Sequence, residues 1–90
     1  MSSYHHDKED LIKRLRRIEG QVRGIQRMIE EDKYCVDILI QISAVRSALD
    51  RVGLILLEDH TRGCVARALK SGDGERAIDE LSDVVRRFMK

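Results

Sequence analysis

Two cysteines and one histidine are the residues of this chain best suited to metal chemistry. Cys35 and Cys64 are the only cysteines among 90 residues, and His60 is one of three histidines. His60 and Cys64 are four residues apart in a stretch with helical periodicity, so a helix would place them on one face. Two thiolates and an imidazole form a soft ligand set that suits Cu(I), with Zn(II) and Ni(II) as weaker candidates. The metal hypothesis therefore depends on whether Cys35 reaches the other two.

Each of these residues also has a simpler interpretation. A lone cysteine in an apolar stripe is usually a small buried hydrophobic residue, and a His–Cys pair at this spacing is usually a chance feature of a helix surface. The conjunction of all three residues favours a metal site over both interpretations. A thiol enzyme is not expected, because Cys35 has no evident base or oxyanion donor beside it in its own chain.

Composition indicates one small helical domain over residues 1–90. The chain is 42% apolar and 37% charged, lacks proline, and is rich in residues that favour helices. Because a chain of this length buries a limited core, association with further copies is a natural way to complete it. No apolar run is long enough to span a membrane, and no signal peptide opens the sequence. We therefore expect a cytoplasmic protein with reduced thiols and no membrane partner.

Apolar periodicity divides the chain into helices and turns. The predicted helices cover about 7–31, 34–70 and 75–89. The first carries a heptad stripe over 11–29, and the second carries one over 35–56. A polar turn separates these two helices, and the sequence Gly72-Asp73-Gly74 ends the second. Residues 1–6 are expected to be mobile.

The predicted second helix places the candidate ligands too far apart to meet within one chain. Cys35 and His60 are 25 residues apart, which corresponds to about 38 Å along one helix. Two second helices that cross antiparallel near residues 48 and 49 would instead place Cys35 of one chain opposite His60 and Cys64 of the other. Two-fold symmetry would then create two identical sites, one at each end of the helix pair.

A basic surface is predicted on the outer side of the first helix, although the net charge of the chain is only +1. The basic residues that lie off its apolar stripe are Lys13, Arg14, Arg16, Arg17, Arg23 and Arg27. Arg46, Arg51 and Arg62 add positive charge to the second helix. Such a surface is either a solvated helix face or a footprint for nucleic-acid phosphates. No helix-turn-helix pattern is visible, so any DNA contact would use shape and backbone more than base edges.

The segments RLRRIEGQVRGI and YCVDILIQISAVR, followed by the His60 and Cys64 pair, resemble the CsoR/RcnR family of bacterial metal-sensing repressors. The resemblance covers about residues 7–88 and is strongest to the copper-sensing CsoR branch. It implies an all-α fold of three-helix protomers, which form an antiparallel four-helix-bundle dimer and then a tetramer. It also implies that the metal-free protein binds operator DNA and that Cu(I) lowers this affinity.

The resemblance assigns roles to individual residues. It implies a trigonal Cu(I) site formed by Cys35 of one protomer with His60 and Cys64 of its partner. Tyr34 and Glu80 match positions that couple the ligand histidine to the third helix. This role agrees with the general rule that a ligating imidazole has its other nitrogen held by an outer partner.

The basic first helix distinguishes a repressor from a metal storage or chaperone protein, because a metal carrier needs no such surface. Arg14 and Arg51 match positions where the family contacts DNA, and Lys13, Arg16 and Arg17 extend the same basic cluster. The resemblance therefore favours a DNA-binding role for this surface over that of a solvated helix face.

Other branches of the family respond to other effectors, and their residues differ. Nickel and cobalt sensors add an N-terminal histidine and carry histidine where Cys64 stands, so His5 and His6 leave nickel or a fourth ligand open. Persulfide sensors lack the histidine ligand, which His60 supplies here. Formaldehyde sensors need proline after the initiator methionine and lack the second cysteine, and Ser2 and Cys64 disagree with both requirements.

Overall fold

The computed structural model describes residues 4–88, without the side chains of Cys64 and Val65. Throughout this described part the chain is all-α and contains no strand. A 3-10 turn, His5–Asp7, precedes four α-helices. The helices are α1 (Lys8–Glu30), α2 (Cys35–His60), α3 (Ala66–Ser71) and α4 (Gly74–Phe88). The predicted all-α class is confirmed.

The described chain divides into two compact units, of which the first is a helical hairpin over residues 7–54. The turn after α1 is closed by Asp32, whose φ of 55° lies in the left-handed region. The backbone N–H of Lys33 donates to the carbonyl of Met28 at 3.0 Å. This bond and the left-handed residue form a Schellman motif, which satisfies free carbonyls at the end of α1.

The hairpin buries two alternate positions of each of its apolar stripes. The four apolar side chains that are buried among the described residues are Leu11 and Ile18 of α1 and Val45 and Val52 of α2. The positions between them form an exposed set, which we call the open seam. The open seam consists of Leu15, Val22, Ile29, Cys35, Ile42 and Leu49. One protomer therefore covers only part of the apolar surface that its sequence pattern provides.

The second unit comprises residues 55–88 with residues 4–6. Here α3 packs against α4, and both contact a single π-helical turn, Thr61–Val65. Gly72 ends α3 with a φ of 93°. A side chain at Gly74 would meet Leu69 Cδ2, so the leucine side chain would have to shift to admit one. The predicted end of the third helix, Met89, lies outside the described residues.

The predicted second helix, about 34–70, is divided in the structure. It ends as α2 at His60, continues through the π turn, and resumes as α3. The hydroxyl of Thr61 donates to the carbonyl of Leu57 at 2.9 Å, a contact that bends helices, and Gly63 lowers the local helix preference. The interruption follows His60, so α2 runs unbroken over its 26 residues.

No helix within residues 4–88 has the length and apolar character that crossing a membrane requires.

Candidate metal centre and nucleic-acid interface

Cys35 is the first residue of α2, and its thiol is exposed and not part of a disulfide. The N–H of Ile38 donates to the carbonyl of Tyr34 at 3.3 Å, so Tyr34 precedes the helix as its cap. Cys35 lies on the open seam, in line with Ile42 and Leu49 at intervals of seven residues. The thiol is therefore accessible on an apolar surface that the protomer itself leaves uncovered.

His60 is the last residue of α2 and is half-buried. It lines a cleft of about 220 Å³ within the second unit. The other lining residues are Ala68, Asp73, Arg76, Ala77 and Glu80. Because Glu80 belongs to α4, the structure brings the predicted ligand histidine and its predicted partner on the third helix to one cleft.

Tyr34 and Cys35 lie at the start of α2, and Cys64 follows its end. Cys35 begins the helix that His60 ends, so the two residues are the first and the last of its 26 residues. Tyr34 is 67% exposed beside Cys35, and its link to His60 remains a prediction. Cys64 lies in the π turn that directly follows His60, and its side chain lies outside the described atoms.

Two polar residues of the His60 cleft, Asp73 and Arg76, were not predicted from the sequence. The N–H of Ala77 donates to the carbonyl of Asp73 at 3.1 Å, so Asp73 precedes α4 as its cap. Arg76 and Glu80 are four residues apart on that helix and therefore share a face. From this spacing, the sequence could have predicted that Arg76 lies beside Glu80.

The sequence left open whether His5 or His6 provides an additional metal ligand. In the structure, His6 makes a defined contact. His6 Nε2 lies 3.6 Å from Asp59 Oδ1, and the carboxylate side chain is 8% exposed. This contact involves the residue that immediately precedes His60. It belongs to a part of the chain, residues 1–6, that the sequence predicts to be mobile.

The predicted DNA-binding residues lie on the hairpin. Lys13, Arg16 and Arg17 are exposed on α1, Arg51 is exposed on α2, and Arg14 is half-buried. The Nε of Arg14 donates to Asp10 Oδ2 at 2.9 Å, so one edge of this guanidinium faces Asp10. The surface can therefore offer several positive charges to a polyanion, as the phosphates of DNA require.

A second cleft, of about 240 Å³, lies within the basic part of the hairpin. Its lining residues are Arg14, Arg17, Ile18, Gln21 and Ala48. Ile18 and Ala48 are equally distant from the turn that joins α1 and α2, as expected for antiparallel helices. Gln21 Oε1 is buried there without a hydrogen-bond partner among the described residues. Gln21 was not predicted from the sequence, although its spacing from Arg14 and Arg17 places it on their helix face.

Comparison with known proteins gives a consistent result. The family model described as metal-sensitive transcriptional repressor matches residues 7–87. The chain is 63% identical to the copper-sensing transcriptional repressor CsoR of Bacillus subtilis, over 93% of this chain and 83% of that protein.

Two solved structures resemble the fold. The first is the copper-sensing repressor CsoR with Cu(I) from Geobacillus thermodenitrificans, with a TM-score of 0.90, 53% identity, and coverage of 94% of this chain and 88% of the other. The second is the nickel-responsive transcriptional regulator InrS, with a TM-score of 0.77, 44% identity, and coverage of 89% and 90%. The similarity to a copper sensor thus exceeds the similarity to a nickel sensor in both sequence and backbone.

Proposed function

The chain belongs to the family of metal-sensitive transcriptional repressors, and we propose that it binds operator DNA when metal-free and releases it on binding Cu(I). The family relationship agrees with the resemblance predicted from the sequence motifs, and with the expectation that Cys35 does not serve an enzyme. The observation that carries the proposal is the placement of Cys35 and His60 at opposite ends of one unbroken helix. One lies on an open apolar seam, and the other lies in a cleft beside α4.

Cys35 of one protomer, with His60 and Cys64 of its partner, would hold the ion. The donor set fits, because Cys35 is exposed and in no disulfide, His60 is half-buried in a cleft, and both are soft or borderline ligands. Bound Cu(I) supplies a soft centre that favours thiolate and imidazole ligands. Similarity to repressors named for copper sensing supports this metal.

A second copy of the chain is the proposed occupant of the open seam. The stripe positions of the open seam alternate with those buried in the hairpin, so they border the packing between α1 and α2. Leu49, near the midpoint between Cys35 and Cys64, is 46% exposed and suits an antiparallel helix crossing. Two hairpins joined in this way form a four-helix bundle, and we propose that such dimers pair into a tetramer.

The cleft beside α4 supports a route from the metal to the rest of the molecule. His60, with one ring nitrogen on the ion, retains its other ring nitrogen for a hydrogen bond. Glu80 lines the same cleft and is the proposed acceptor, with Tyr34 as a further polar partner. Metal binding would thus favour one position of α4 relative to His60, which is a differential interaction of the kind that shifts an equilibrium between two states.

Five basic residues at the surface of the hairpin, four exposed and one half-buried, are the proposed DNA surface. They are Lys13, Arg14, Arg16, Arg17 and Arg51. Phosphate contacts supply affinity and orient the protein on the duplex. A repressor that acts on chromosomal operators works in the cytoplasm of a bacterium, which is the proposed location.

A nickel-sensing repressor is the second candidate, supported by the match to InrS and by the histidines near the N terminus. Nickel is the less favoured metal, because the match to InrS has a lower identity and a lower TM-score than the match to CsoR. A cytosolic metal-storage protein has less support, because the family relationship and the basic hairpin both point to DNA.

The deciding experiment measures operator affinity by fluorescence anisotropy under anaerobic, reducing conditions, with no metal, one equivalent of Cu(I), or one equivalent of Ni(II) per protomer. Copper should weaken binding several-fold or more, and nickel should have a much smaller effect. If only nickel releases the operator, nickel and not copper is the effector. Operator binding that neither metal changes would contradict the proposed sensor.

A further inference from the structure

Two guanidinium groups line one cleft of the hairpin, although they have the same charge. Arg14 and Arg17 are three residues apart on α1, a spacing at which like charges repel. Both line the cleft of about 240 Å³ with Ile18, Gln21 and Ala48. A concave site lined by two cations is suited to an oxyanion, because the planar guanidinium fork matches the geometry of phosphate oxygens.

Hydrogen-bond acceptors stand at both ends of this arginine pair. Asp10, Arg14, Arg17 and Gln21 follow one another at spacings of 4, 3 and 4 residues and therefore lie along one side of α1. Asp10 Oδ2 already accepts from Arg14 Nε at 2.9 Å. That bond leaves the terminal nitrogens of Arg14 for another partner. At the opposite end, Gln21 is four residues from Arg17 and can reach it.

The side-chain oxygen of Gln21 lacks a hydrogen-bond donor within the described residues. This atom, Oε1, is buried. A buried polar atom without a partner lowers stability, and such atoms are rare enough in folded proteins that each calls for a reason. A hydrogen bond that forms only when the cleft is occupied would explain this atom. The guanidinium of Arg17, on the adjacent helical turn, can donate that bond.

We propose that this cleft is an oxyanion site that holds one phosphodiester of the operator, with Gln21 and Asp10 as positioning residues for the two arginines. The proposal rests on the DNA-binding function above. When the phosphate enters, Arg17 reorients within the cleft, donates one N–H to Gln21 Oε1, and directs others to phosphate oxygens. Arg14 keeps its bond to Asp10 and donates its terminal N–H groups to phosphate oxygens. The basic surface thereby contains one shaped phosphate site in addition to its diffuse positive charge.

Gln21→Met is the principal test, because it keeps the approximate shape of the side chain and removes the unpartnered oxygen. Its melting temperature should equal or exceed that of the wild type, whereas operator affinity should fall by about tenfold, the size expected for the loss of a hydrogen bond to a charged group. Gln26→Met is the matched control, since Gln26 is an exposed glutamine of the same helix. A lower melting temperature, or an altered oligomer by sedimentation, would show a structural role for Gln21 and overturn the proposal.

A double-mutant cycle tests the link between the two residues. In an Arg17→Ala background, Gln21→Met should cause no further loss of operator affinity, because its effect acts through Arg17. Independent, additive losses would overturn the assignment. Asp10 offers a second variant: Asp10→Ala should weaken operator binding despite the removal of a negative charge, and Asp10→Asn should restore it. Tighter binding by Asp10→Ala would overturn its positioning role.

Inorganic phosphate distinguishes a shaped site from general charge. At equal ionic strength, phosphate should displace operator from the wild type more effectively than chloride does, and this difference should vanish in Arg17→Ala. Equal displacement by the two anions would overturn a discrete oxyanion site. Because wild-type operator binding is measured in every arm, its absence would instead reject the DNA-binding function itself.

Discussion

Cys35 is exposed at the start of α2, so its side chain can be shortened without opening a cavity in the hairpin. Cys35→Ala should therefore abolish tight Cu(I) binding while the oligomer and operator affinity stay largely intact. Competition with a Cu(I) indicator measures the metal affinity, and sedimentation measures the oligomer. Val36→Ala is the matched control, because Val36 is the next residue of the helix and is also exposed. Unchanged copper affinity in Cys35→Ala would remove this thiol from the site.

Arg51 is the predicted DNA-binding residue that lies on α2 and outside the proposed oxyanion site. Arg51→Ala should weaken operator binding and leave Cu(I) affinity unchanged. The plot of log K against log salt should become less steep by about 0.9 for each phosphate that the variant no longer neutralises. Arg87→Ala is the control, since Arg87 pairs with Asp83 at 3.1 Å on α4. The same salt slope for Arg51→Ala and wild type would identify Arg51 as a solvated charge.

At the scale of elements, the sequence predicts what depends on local pattern. The heptad stripes predict α1 and α2, and the glycines at 72 and 74 predict the turn before α4. The positive φ of Gly72 shows why a glycine suits this turn. The π turn after His60 could not be predicted, since no residue type specifies a π register and Gly63 is only a weak breaker. Clefts also escape prediction from one helix at a time, because they depend on the side chains of two elements.

Helix α4 provides the proposed coupling, and Glu80 is its point of contact with the His60 cleft. Glu80→Ala should keep nearly full Cu(I) affinity and lose much of the copper-driven release from DNA. Allosteric coupling is typically about 1–3 kcal/mol, so the ratio of operator affinities without and with copper should fall several-fold. Titrations of metal and of operator on the same preparations measure both quantities.

The control for this variant is Asp79→Ala, which removes an exposed acidic residue of the same helix that does not line the cleft. It should release DNA as the wild type does. If Glu80→Ala also does so, the hydrogen bond from His60 to α4 is not the route of coupling. Equal loss in both variants would indicate a general effect of charge on α4.

At the scale of the whole molecule, one protomer is an incomplete structure. Among the described residues only four apolar side chains are buried, and each retains some exposure. Such a core is small for a chain of 90 residues. The remaining apolar surface, including the open seam, is sufficient reason for association with a second copy. Stability should consequently rise with protein concentration, as mass action requires when folding and assembly are linked.

Assembly also determines whether the metal site exists at all, which a mixture of two inactive variants can test. A Cys35→Ala chain retains His60 and Cys64, and a His60→Ala/Cys64→Ala chain retains Cys35. Neither homodimer has a complete ligand set. In a heterodimer with antiparallel second helices, one end combines both defects, and the other end combines all three native ligands. We therefore expect one Cu(I) site per heterodimer.

The measurement is the Cu(I) stoichiometry of differently tagged chains that are co-expressed and purified through both tags. Each homodimer is the control and should show no tight site. A ligand set drawn from a single chain cannot be restored by mixing, because each chain lacks at least one ligand. Purified heterodimers that bind no copper would therefore contradict the shared site, and a stoichiometry of one would show that each site draws its ligands from two protomers.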